Sequence, residues 1–107
     1  MEIKCPQHNT PERIKDQYMC QVQQQMACLG APVEWCDLFF YHHDDNTGQM
    51  LGAKCWRIWR SPQYWNYVAR CLDIMADCLM EDRPPTRREI PLCPAMPRVR
   101  TELVLEK

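Results

Sequence analysis

The apolar positions along the chain change period several times, and each change marks an element. Met1 to Cys5 reads as a short strand that stops at Pro6. Thr10-Pro11-Glu12-Arg13 predicts a helix start: a threonine that can cap, a proline at the first helical position and a glutamate near the positive helix end. From there Ile14, Tyr18, Val22, Met26 and Leu29 recur at three- and four-residue steps, which defines one buried helical face, and Gly30 and Pro32 close the helix. Val33 to Tyr41 is aromatic and β-branched and reads as a strand, with Trp35, Phe39 and Tyr41 on one side and Cys36, Leu38 and Phe40 on the other. Because both sides are apolar, this strand is expected in the interior of a sheet.

The polar run His42 to Gly48 is a turn by composition, and Met50 to Arg60 follows as the second strand of an antiparallel hairpin. Ser61-Pro62 repeats the cap-and-proline device. Tyr64, Tyr67, Val68, Cys71, Leu72, Met75 and Leu79 then trace an amphipathic helix to about Met80. Five of the nine prolines lie beyond Glu81, so no long helix is expected there, and Val99 to Leu105 alternates enough for a short strand or docking segment. The expected order is β-α-β-β-α, with a domain over residues 1–82 and a proline-rich C-terminal tail over 83–107.

Composition narrows the function classes. The 107 residues suffice for one small domain, and a hydrophobic fraction of 46% can form a core. A formal net charge of -1 excludes a nucleic-acid binder that works by bulk positive charge. No apolar run approaches the ~20 residues that cross a bilayer, and no apolar stretch follows Met1-Glu2-Ile3-Lys4 as a signal peptide requires. The expectation is an intracellular protein of a reducing compartment, with no membrane partner and with free thiols. The eight cysteines include no pair at zinc-finger spacing, and several are expected to serve as small buried hydrophobes.

Candidate chemistry lies on the opening strand. Residues two apart on a strand share a side, so Glu2 and Lys4 should project together while Ile3 faces the core. A carboxylate is a hard oxygen ligand for Mg²⁺ or Mn²⁺, and a neighbouring lysine can orient a water and offset phosphate charge. On the following helix Gln21 and Gln25 are four apart and share a face, with Tyr18 close by; Gln23 and Gln24 read as a solvated face.

The conjunction of Glu2-Ile3-Lys4-Cys5-Pro6, then Tyr18-Met19-Cys20-Gln21-Val22-Gln23-Gln24-Gln25-Met26, then Glu34-Trp35-Cys36-Asp37-Leu38 and Tyr41 resembles the lambda-exonuclease-type, YqaJ-like viral recombinase nucleases of the PD-(D/E)xK superfamily. The resemblance spans residues 2 to 80 and implies an α/β (α+β) fold, a partial restriction-endonuclease-like core whose mixed sheet is flanked by helices. It implies Glu2, Lys4 and Gln21 as catalytic residues and Glu2 with the Ile3 carbonyl as metal ligands. The implied function is Mg²⁺-dependent (or Mn²⁺-dependent) 5′→3′ hydrolysis of double-stranded DNA for recombination. The implied partners are a strand-annealing recombination protein and further copies of the chain. In that family an aspartate on a preceding strand completes the metal site. The chain begins just before Glu2, so the expectation is the C-terminal part of the core, from a truncated or split frame, with weak metal affinity and little activity alone. The alternatives are a non-catalytic DNA- or protein-binding remnant of the fold and one half of a split nuclease. The compartment implied is the cytoplasm, or the nucleus for a eukaryotic host or virus.

Other constellations are less specific. His42-His43-Asp44-Asp45 reads as a solvated hairpin tip. Tyr18, Gln25, Lys54 and Arg57 are candidate DNA contacts; Lys54 and Arg60 fall on one face of their strand and Arg57 on the other. Arg83, Arg87 and Arg88 are nearly balanced by Glu81, Asp82 and Glu89 and read as a solvated segment.

Overall fold

The computed structural model describes residues 1–6, 9–89 and 97–107, and the fold is α+β. The elements are β1 (Glu2–Lys4), α1 (Asp16–Leu29), β2 (Trp35–His43), β3 (Met50–Trp59), α2 (Pro62–Met80) and β4 (Thr101–Glu106). One mixed four-stranded sheet has the order β1-β2-β3-β4. β1 runs parallel to β2, so the chain must cross over between them, and α1 is that crossover. β2 and β3 form the expected antiparallel hairpin, and β2 is interior, as its two apolar sides require. At the hairpin tip Asp44 accepts from the Asn46 and Thr47 amides, and Gly48 takes the left-handed φ of 71° that closes the turn.

Residues 1–60 and 99–107 form one compact unit and residues 61–98 a second. The final strand belongs to the first: β4 pairs antiparallel with β3, and Lys107 exchanges backbone hydrogen bonds with Ala53. The boundaries between these compact units fall at residues 60/61 and 98/99, whereas the proline pattern placed a single one at 82/83. All five prolines beyond Glu81 lie between α2 and β4 in the sequence, and the ladder with β3 recovers the end of the chain for the sheet.

Sheet register decides the core. Glu2, Lys4, Cys36, Leu38, Phe40, Trp56 and Ile58 occupy the side of the sheet that α1 covers. There Val22 and Met26 of α1 are fully buried with Leu38, Phe40 and Ile58. Ile3 was expected in this core, but it is 59% exposed. It pairs with Phe39, and the side that puts Glu2 and Lys4 beneath α1 turns Ile3 away from it.

Helix α1 starts later than its sequence cap suggests, at Asp16 rather than near Thr10. The segment before it is used by the sheet: the Pro11 carbonyl accepts from Lys54 Nζ at 3.2 Å. The C-terminus of α1 is fastened more firmly. Gly30 (φ 94°) donates its N–H to the Met26 carbonyl and turns the chain. The guanidinium of Arg60, just past β3, donates to the carbonyls of Met26, Gly30 and Val33. One cation thus reaches two carbonyls at the negative end of the helix dipole and a third in the connection to β2. Gln23 adds a second tie. It was expected to be solvated, but it is 1% exposed and donates to the Trp59 carbonyl at 2.9 Å.

In the second unit, Ser61 caps α2 as expected, accepting from the Tyr64 amide at 3.1 Å. Tyr64, Val68 and Cys78 are buried there, whereas Leu72, Met75 and Leu79 are exposed. Arg83 makes a two-pronged pair with Glu89 and a further contact to Glu81; this pair and the Thr86 hydrogen bonds draw the Glu89 carboxyl down to about 2. Cys55 and Cys78 are buried, Cys5 and Cys28 are exposed, and the described cysteines are all free thiols. Cys93 and the prolines at 91 and 94 lie outside the described residues. No helix among the described residues is long and apolar enough to cross a membrane.

Arg60→Met should lower stability by about 2–3 kcal/mol, because it removes the charged hydrogen bonds to the Met26, Gly30 and Val33 carbonyls. The urea midpoint followed by circular dichroism checks this. Arg60→Lys should recover only part, since an ammonium lacks the planar fork.

Candidate functional site

Glu2 and Lys4 project together beneath α1, and α1 presents Tyr18, Gln21 and Gln25 to them at helical spacing. The four polar side chains form one hydrogen-bonded cluster. Lys4 Nζ lies 3.2 Å from Glu2 Oε1 and donates to Gln21 Oε1 at 3.0 Å. Gln21 Nε2 reaches Glu2 Oε1 at 3.5 Å, and Gln25 Nε2 donates to Glu2 Oε2 at 3.0 Å. The Tyr18 ring stands 5.0 Å from Lys4 Nζ, close enough for a cation–π contact, and packs edge-on against Phe40 at 5.8 Å. Burial of Phe40 thus holds Tyr18, and Tyr18 in turn confines the lysine.

The Gln25 hydrogen bond, followed by that of Lys4, holds the Glu2 carboxyl below the usual carboxylate range. Glu2 is therefore ionised at neutral pH, with the Lys4 cation at its side. Both oxygens of the carboxylate already have partners, yet Glu2 and Lys4 keep about a quarter of their side-chain surface open, at 22% and 25%. The cluster can thus be reached from solvent.

The donor set defines the chemistry available. Glu2 is a hard anionic ligand, and the Ile3 backbone passes directly beside it at the sheet edge. Mg²⁺ keeps several waters and is commonly held by one or two carboxylates together with substrate phosphates, so these residues fit it as part of a site. A closed site is not present among the described residues: no group of three histidine, cysteine or acidic side chains converges anywhere. Lys4, a compact ammonium, can neutralise a phosphate or hold a water next to Glu2.

Two candidate DNA contacts are otherwise engaged. Lys54 is bound to the Pro11 carbonyl and paired with Glu106 at 3.8 Å, leaving 13% of its side chain exposed. Arg57 lies on the opposite side of the sheet from Glu2, as alternation predicts. There it makes a two-pronged pair with Asp37, at 2.9 and 3.2 Å, and sits over Trp35. Gln25, also expected near DNA, binds Glu2 instead; helical spacing from Gln21 was the signal for this, and the partner became visible only with the fold. The histidine-aspartate run is a hairpin tip with His43 paired to Asp45 at 3.5 Å.

Comparisons of the chain with protein-family models, with curated proteins and with solved structures give no match.

Removing the strongest support of the carboxylate should be visible directly. Gln25→Leu is expected to raise the pKa of Glu2 toward its ordinary value of 4.5, read from the carboxyl carbon shift in an NMR titration. A depressed folded-state pKa stabilises the fold above the unfolded value and loses that contribution as pH falls through the folded one. The acid limb of stability attributable to Glu2 should therefore shrink in the variant.

Proposed function

We propose that Glu2, Lys4 and Gln21 form the carboxylate, lysine and glutamine part of a metal-dependent DNA-hydrolysing site of the YqaJ-like, PD-(D/E)xK kind. The observation that carries this proposal is the convergence of Glu2, Lys4 and Gln21 within 3.0–3.5 Å, from a strand and a crossover helix that are far apart in sequence. An ordinary edge-strand ion pair would not need two helical glutamines turned onto it. In this proposal Glu2 and the Ile3 carbonyl hold Mg²⁺ or Mn²⁺, Lys4 faces the scissile phosphate and Gln21 fixes the lysine. The bound metal would polarise the phosphate and lower the pKa of a water.

With a single carboxylate in the cluster, metal affinity is expected to be weak and hydrolysis slow. β1 is an edge strand, and the described residues pair only its β2 side, which leaves room beside Glu2 for a strand carrying a second acidic ligand. A different class of function, metal-independent DNA or protein binding, draws its support from the Glu2 carboxylate, whose oxygens are already engaged by Lys4, Gln21 and Gln25.

Calorimetric titration of the protein with a linear DNA duplex, with and without Mn²⁺, tests the proposal. Mn²⁺ should tighten binding about tenfold, as one shared phosphate-metal contact would. That gain should vanish in Glu2→Gln, while any slow hydrolysis is lost in Lys4→Met. Affinity indifferent both to the metal and to Glu2→Gln would instead support the non-catalytic reading.

A further inference from the structure

The second half of α2 keeps one side apolar and exposed. Leu72 and Met75 leave 48% and 43% of their surface open, and Leu79 and Met80 leave 77% and 88%. Val68, Leu72, Met75 and Leu79 follow one another at steps of four, three and four residues, which sets them in one row about 16 Å long. Val68, nearly buried, closes the row toward the helix N-terminus, and the exposed Ala76 leaves a low spot beside Met75. A single exposed leucine needs no explanation, but a continuous row of large apolar side chains marks a docking surface.

We infer that this row is a self-docking surface, on which α2 of a second copy of the chain packs antiparallel. Three features select this occupant. The spacing reads the same from either end, so an antiparallel copy meets it in register: Leu72 faces Met75 of the second copy, and Leu79 faces its Val68. The charges at the helix ends match as well. α2 has no acidic residue in its first turn and no basic residue in its last, so its own side chains offset neither end of its dipole. Glu81 and Asp82 follow the last turn, and Arg83, the next cation, is taken up by Glu81 and Glu89. An antiparallel copy lays this acidic end beside the N-terminal turns of its neighbour, whereas a parallel one would bring two acidic ends together. Finally, the charged residues from Leu72 to Asp82 are Asp73, Asp77, Glu81 and Asp82, with no lysine or arginine among them. That is the opposite of the cationic polar face that holds an amphipathic helix on anionic lipid. One helix pair covers less than the roughly 1,200 Å² of a stable interface, so the dimer is expected to dissociate at concentrations on the order of 10 µM.

Sedimentation velocity of the full chain from about 1 to 300 µM tests this inference. A reductant is kept present, because exposed thiols such as Cys5 and Cys28 could otherwise cross-link copies. The sedimentation coefficient should climb from the monomer toward the dimer value across that range. Leu72→Glu and Met75→Lys should each weaken association at least about tenfold, since each sets a charge against an apolar side chain. Both positions are exposed, so the variants keep the fold, which circular dichroism checks. The double variant Leu72→Glu/Met75→Lys should recover most of the association, because antiparallel packing brings each new carboxylate opposite a new ammonium. A monomer at every concentration, or a dimer indifferent to Leu72→Glu, would overturn the surface, and a double variant no better than the single ones would overturn the antiparallel packing. A monomer that instead binds phosphatidylserine vesicles through Leu79 would assign the row to a membrane surface and overturn the inference too.

Discussion

The parallel pairing of β1 with β2 is the constraint on which the rest depends. Parallel neighbours cannot be joined by a tight turn, so a crossover is obligatory, and here it is α1. The register sets Glu2 opposite Leu38 and Lys4 opposite Phe40, which commits both charges to the side that the helix covers. Once there, they need polar partners from the helix, and Gln21 and Gln25 supply them. A shift of one residue would bury Ile3 and expel both charges. Site and fold are thus one arrangement.

Such a short edge strand contributes little pairing of its own, so α1 must be held by other means. Gln23 does this from the middle of the helix and Arg60 at its C-terminal end, tying α1 to the end of β3 and to the segment before β2. The apolar layer of Val22, Met26, Leu38, Phe40 and Ile58 fills the space between. Gln23 stands between Gln21 and Gln25, so the stretch of helix tied to β3 is the one that carries the cluster, whose electrostatics are local. With a net charge of -1, attraction for a phosphate must come from Lys4 and any bound cation, not from the field of the whole chain.

Much of this is legible in the sequence wherever periodicity speaks. The hairpin, the interior position of β2, the cap at Ser61 and the shared side of Glu2 and Lys4 all follow from spacing. What spacing does not give is which side of an edge strand faces the helix, and there Ile3 went to the wrong side. Nor does it separate a solvated amide from a buried one: Gln23 and Gln24 are neighbours, and the fold buries the first against the Trp59 carbonyl and leaves the second exposed. Thr10 and Pro11 carry a helix-start signal, but the chain uses them to meet β3, so tertiary contact overrides the local cap. Lys54 and Arg57 look like free cations until the carbonyl and the carboxylate that engage them are brought into place.

The central claim is that the cluster around Glu2 is a cation site rather than a closed ion pair. Paramagnetic broadening of the amide spectrum by substoichiometric Mn²⁺ tests it most directly. Broadening centred on Glu2, Ile3 and Gln21, and absent in Glu2→Gln, is the predicted result. Broadening confined to the acidic hairpin tip at Asp44 and Asp45, with the Glu2 region untouched, would contradict it.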